Sequence, residues 1–136
     1  MITNKKSAET KDRKIILSTL WTFVMFNYVY GDLTMMIFNP SVYQGIAAKM
    51  NQGVVLGATA LFEIAIAMIL AARVLKRGAN RWANIIAGTV FTVWVAVTLV
   101  GGKAPAYFLF LSAIEIACTA FIVWYAWTWP EAAALP

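Results

Sequence analysis

Glu63 and Glu115 each stand alone near the middle of a long apolar run, GVVLGATALFEIAIAMILAARVL (53–75) and AYFLFLSAIEIACTAFIVWYAW (106–127). Each run is long enough to cross a bilayer, because a helix rises ~1.5 Å per residue and the hydrocarbon core is ~30 Å thick. An ionisable side chain at that depth costs roughly 3 kcal/mol unless it finds partners or stays protonated. Such carboxyls can bind an ion or a hydrogen-bonding head group. They can equally be protonated packing residues that tie two helices together. Direct acid–base catalysis is a third use, and the residues themselves do not choose among them.

Depth along the helices groups further polar residues with these two. Glu63 is twelve residues from Leu75, and Glu115 is twelve from Trp127. Twelve steps from Ile15 is Asn27, beside Tyr28, and twelve from Trp82 is Trp94, near Thr92. All lie about 18 Å from one surface, so one polar layer fed by every span is expected. Ser112, Glu115, Cys118 and Thr119 share a helix face, as do Thr59, Glu63 and Ala67. Gly53 and Gly57 add a pair of small residues that favours close helix contact. Asp32, one turn beyond Tyr28, belongs near the far surface, either solvated there or as the mouth of a cavity leading to the glutamates.

The absences are equally informative. The chain has no histidine and a single cysteine, Cys118. Histidine-ligated haem, zinc or copper and the Glu-x-x-His di-iron site are therefore ruled out. So are a Cys-x-x-Cys redox pair and an intramolecular disulfide. No cofactor is encoded in the sequence, and Cys118 reads as a small buried apolar residue.

Carboxyls at such depth must be held by spanning helices. Of the 136 residues, 62% are hydrophobic and 12% charged, against about 45–50% and 25% in ordinary soluble domains. The expected architecture is an all-α, four-span bundle running up-down-up-down, with spans at about 15–38, 53–75, 82–100 and 106–127. Residues 1–14 read as a basic cytoplasmic segment, 15–129 as one membrane domain, and 130–136 as a short tail. The first apolar run exceeds a signal-peptide core, so it is expected to stay as span one. Asn-Pro at 39–40 opens a turn that has room for a short interfacial helix.

Charge sets the orientation. Lys5, Lys6, Lys11, Arg13 and Lys14 precede span one, and Arg73, Lys76, Arg77 and Arg81 surround the 2–3 link. These nine stand against Lys49 and Lys103 on the other side. The positive-inside rule then predicts a multi-pass protein of the cell membrane with both termini cytoplasmic. Trp82, Trp124, Trp127 and Trp129 fall near that interface, with Tyr43 and Tyr107 near the other. The cluster Arg73, Lys76, Arg77 and Arg81 is expected to meet anionic lipid heads, or alternatively a phospho-ligand. The net charge of +5 does not indicate a nucleic-acid partner, because the charges cluster at span ends. Membrane lipids are the expected partners, together with a second copy or a larger membrane complex. Phe62-Glu63-Ile64-Ala65 echoes Ile114-Glu115-Ile116-Ala117, which allows an internal duplication with parallel repeats.

The segments LWTFVMFNYVYGD (20–32), RVLKRGANRWANIIAG (73–88) and EIACTAFIVWYAW (115–127) together resemble a family of small bacterial four-span membrane proteins known only as a domain of unknown function. Asn-Arg-Trp-Ala-Asn at 80–84 and Trp-Tyr-Ala-Trp at 124–127 are the most specific stretches. The resemblance implies a four-helix integral membrane protein and supplies no activity. The family pattern has an acidic residue just before the proline after span one, where this chain has Asn39, so a site built there would be altered. In size and span count the chain also looks like DoxX-type proteins, some of them subunits of quinone-linked redox complexes. Small multidrug exporters carry their membrane glutamate in the first span, where this chain has Asn27 and Asp32.

Three functions fit. One is a non-enzymatic binding or accessory protein whose polar layer holds a lipid, a quinone or another small amphiphile. The second is a proton- or cation-coupled transporter or channel using Glu63 and Glu115. The third is a subunit of a membrane oxidoreductase, which would need another chain to bring the cofactor.

Overall fold

The computed structural model describes residues 1–102 and 104–131. Lys103, counted above with the less basic side, and the end of the tail lie outside them. The described residues form five helices and no strand: α1 (Ile2–Phe38), α2 (Pro40–Ala47), α3 (Gln52–Val74), α4 (Arg77–Val100) and α5 (Ala106–Trp127).

Helix α1 is 37 residues long, because nothing in its first half breaks it. The basic segment expected at 1–14 continues the helix, and Glu9 pairs with Arg13 one turn on at 3.5 Å. Pro40 ends α1 by denying the helix its next N–H, and then serves as the first residue of α2. No residue of α2 is buried. Helix α4 starts at Arg77 and not at Trp82, so the 2–3 link shrinks to Leu75 and Lys76.

Helices α3, α4 and α5 are long and apolar enough to cross a membrane. Helix α1 is long enough but falls short on composition, because Ser18, Thr19, Thr22, Asn27, Asp32 and Thr34 dilute its apolar half.

Helix α1 packs on α3 and α5, and α4 packs on α5 and α3. Leu17, Trp21, Val24, Phe91 and Ile122 are fully buried between them. The closest approach joins α4 to α5 at Gly88, where a Cβ would stand 2.7 Å from Val123 Cγ2 and 3.2 Å from the Thr119 carbonyl. One turn on, the Thr92 and Thr119 hydroxyls share a 2.7 Å hydrogen bond.

Helix α3 is covered unevenly. Its buried residues are Ala65, Met68 and Ala72, so its first turns stand clear of the other helices.

Candidate functional site

Four contacts set the antiparallel register of α1 against α5. Arg13 donates to the Tyr125 carbonyl at 2.8 Å, and the Cys118 thiol reaches the Leu20 carbonyl at 3.6 Å. Further along, a Cβ on Gly31 would meet Leu111 Cδ1 at 3.6 Å. The Asn39 amide donates to the Tyr107 hydroxyl at 2.6 Å. This register brings Tyr28 and Asp32 of α1 beside Ser112 and Glu115 of α5.

Glu115 is only 6% exposed, and Ser112 and Thr119 on the same face are buried with it. Among the described residues no hydrogen bond reaches its carboxyl, and only its main-chain carbonyl is engaged, by the Thr119 hydroxyl at 2.9 Å. The Tyr28 ring is fixed edge-on to Phe62 at 5.6 Å and tilted against Phe91 at 5.8 Å. Its hydroxyl is buried without a partner. Tyr28 and Asp32, four residues apart on α1, share one of its faces. Asp32 itself lies at the surface. The result is a small polar site between α1 and α5, with an inner carboxyl, an unpaired phenol and an outer carboxyl.

A family model matches residues 5–134. The chain belongs to DUF6326, a family of unknown function. No curated protein and no solved structure matches it. Nothing in these comparisons carries the likeness to DoxX-type proteins.

In this DUF6326 chain the equal-depth residues do not meet in one interior layer. Glu63, Thr59 and Trp94 are exposed on the outside of the single chain. Thr59 bonds its own helix at the Val55 carbonyl, and Asn27 likewise at the Phe23 carbonyl. Equal depth fixes height but not direction, and Glu63 precedes the buried Ala65 by two residues, more than half a turn away. Thr59, Glu63 and Ala67 do share a face, and it points outward. The face of Ser112, Glu115, Cys118 and Thr119 points inward.

The basic cluster is largely engaged within the chain. Arg77 donates to the Trp129 carbonyl at 2.9 Å and Arg81 to the Trp127 carbonyl at 3.2 Å. Helix C-termini leave carbonyls unpaired and carry partial negative charge, which arginines satisfy. Arg73 bonds the Ser18 hydroxyl at 3.0 Å, and Lys76 remains exposed. Trp129, expected at the interface, is buried under these arginines.

The sequence reading missed a buried chain of amides. Trp21 Nε1 donates to Asn84 Oδ1 at 2.8 Å, Asn84 Nδ2 to Asn80 Oδ1 at 2.7 Å, and Asn80 Nδ2 to the Ala72 carbonyl at 2.7 Å. It links α1, α4 and the end of α3. The signal was present in Asn80 and Asn84, four apart and hence on one helix face.

Proposed function

We propose that the chain is a multi-pass protein of the cytoplasmic membrane that binds a small amphiphile, a lipid or a quinone, at the Glu115 site and performs no catalysis of its own. In this reading α1 joins α3, α4 and α5 as a fourth span, giving a four-helix membrane bundle with both termini cytoplasmic. The nine-to-two division of Lys and Arg supports the orientation.

The observation that carries the binding role is the buried Tyr28 hydroxyl without a partner, with Glu115 on the facing helix. A buried polar group left unpaired costs about 1–3 kcal/mol. A head group that accepts from the phenol and bonds Glu115 recovers that cost, while its apolar tail lies along the exposed surfaces of α1 and α5. The test is native mass spectrometry of the chain released from its own membrane. A small amphiphile should remain on the wild type and be depleted on Tyr28→Phe and Glu115→Gln. A ligand-free wild type, or equal retention by all three, would refute the site.

One observation favours a second reading, proton- or cation-coupled transport. Asp32 stands at the surface one turn beyond Tyr28 on the same helix face, as an entry step would require. Transport predicts a flux across reconstituted vesicles that Glu115→Gln abolishes. The binding role predicts vesicles as tight as empty ones.

A further inference from the structure

Helix α3 turns Ala65, Met68 and Ala72 toward its neighbours. On the opposite side Leu56, Ala60, Glu63, Ala67, Leu70 and Val74 are all exposed. Their spacing alternates four and three residues from end to end. That is the pattern of a left-handed coiled-coil seam, in which side chains repeating every 3.5 residues keep facing one partner helix. Left-handed crossings of about 20° are the commonest packing of membrane helices. The residues flanking Glu63 within the seam are both alanine, so a partner backbone can come close to the carboxyl. Among the described residues no other element covers this line.

Lipid is a poor cover for it. Glu63 is about 16 Å from either end of α3, too deep for its short side chain to reach water. In hydrocarbon its carboxyl needs a hydrogen-bonding group at the same depth. A second copy supplies one. The Lys and Arg bias inserts every copy in the same direction, so two α3 helices related by a two-fold axis along the membrane normal run parallel. In a parallel pair each seam residue meets its own counterpart. Glu63 then faces Glu63, and each side chain gains a hydrogen-bonding partner at its own depth. A single polar layer in an otherwise apolar seam also fixes the register.

We propose that the outward seam of α3 is the contact through which two copies of this chain associate in parallel, with Glu63 paired to Glu63 at its centre. The proposal rests on α3 spanning the membrane and is independent of any ligand at Glu115.

The test uses the full chain in vesicles with Cys118→Ala, adding Ala60→Cys, Ala67→Cys or, as a control on the exposed side of α5, Ala120→Cys. Mild oxidation should link copies through positions 60 and 67 and not through 120. Without added cysteines, Förster transfer between labelled copies should report a dimer at low protein-to-lipid ratio. Glu63→Gln should preserve it, because two amides also pair. Glu63→Leu should weaken it roughly three- to thirtyfold, the range for interhelical hydrogen bonds in membranes. Because Glu63 is exposed on the outside of its own chain, both variants should melt in detergent like the wild type as monomers. A monomer at all protein densities, cross-linking through 120 in preference to 60 and 67, or unchanged association of Glu63→Leu would overturn the proposal. Cross-linking only to a different protein would overturn it as well.

Discussion

At the basic end of the molecule α1, α3, α4 and α5 are joined by side-chain hydrogen bonds, whereas at the opposite end, among the described residues, one short side-chain bond, Asn39 to Tyr107, crosses between elements. At the basic end Ser18 bonds the Ile69 carbonyl at 2.8 Å, Asn80 and Asn84 connect α4 to α1 and α3, and three arginines hold the end of α5. The opposite end has Tyr107 also touching Met35 sulfur at 3.5 Å, with the first turns of α3 uncovered. Between membrane helices apolar burial adds little, because lipid tails are as apolar as leucine. Association therefore depends on close packing and hydrogen bonds, and these are concentrated at one end. The basic end acts as a clamp, and the Glu115 site lies beyond it, where the helices are less tightly joined.

The clamp is broken most severely at Trp21, which is fully buried and anchors the amide chain. Trp21→Ala should cost about 3–5 kcal/mol, read as a large fall in the thermal midpoint in detergent. A variant that melts like the wild type would show that the clamp does not govern stability.

Asn84→Leu comes next. It keeps bulk but strips the partner from Trp21 Nε1 and Asn80 Oδ1, for an expected loss of about 1–3 kcal/mol. Combined with Trp21→Phe the loss should be less than additive, because the two substitutions break one bond. Strict additivity in this double-mutant cycle would show that the two side chains act separately.

At the looser end Tyr107→Phe removes the bond from Asn39 and should cost only about 0.5–1.5 kcal/mol. Chemical denaturation of the two sets side by side measures the asymmetry directly. A loss at Tyr107 equal to that at Asn84 would erase the distinction between the ends.

The smallest effect is expected at Thr59, exposed and bonded only within its own helix. In the detergent-solubilised monomer Thr59→Ala should change stability by less than about 0.5 kcal/mol, and a larger loss would mean that Thr59 packs within its own chain.

The helices were legible in the sequence because apolar length is a strong signal: α5 spans Ala106–Trp127 as expected, and α3 is displaced by one residue at each end. Direction around a helix was not legible. Phe62-Glu63-Ile64-Ala65 and Ile114-Glu115-Ile116-Ala117 look like copies, yet Ala65 is buried and Ala117 exposed, while Glu63 is exposed and Glu115 buried. Spans that are apolar all round carry no amphipathic stripe to say which side is inside. Only the neighbours decide, and a short echo does not encode them. The face of Ser112, Glu115 and Thr119 was legible because several polar residues aligned. The amide chain from Trp21 to Asn80 was not, because its members lie on different helices and are brought together only by packing.

Helix α1 carries one further consequence, a mechanical one. At about 1.5 Å per residue its 37 residues make a rod of some 55 Å, nearly twice the thickness of a bilayer core. In the four-span reading the first thirteen residues, 2–14, project about 20 Å beyond the core, with no proline or glycine to act as a hinge before Gly31. A ligand or partner that turned the helix near Lys5 would act on the same unbroken helix that carries Tyr28.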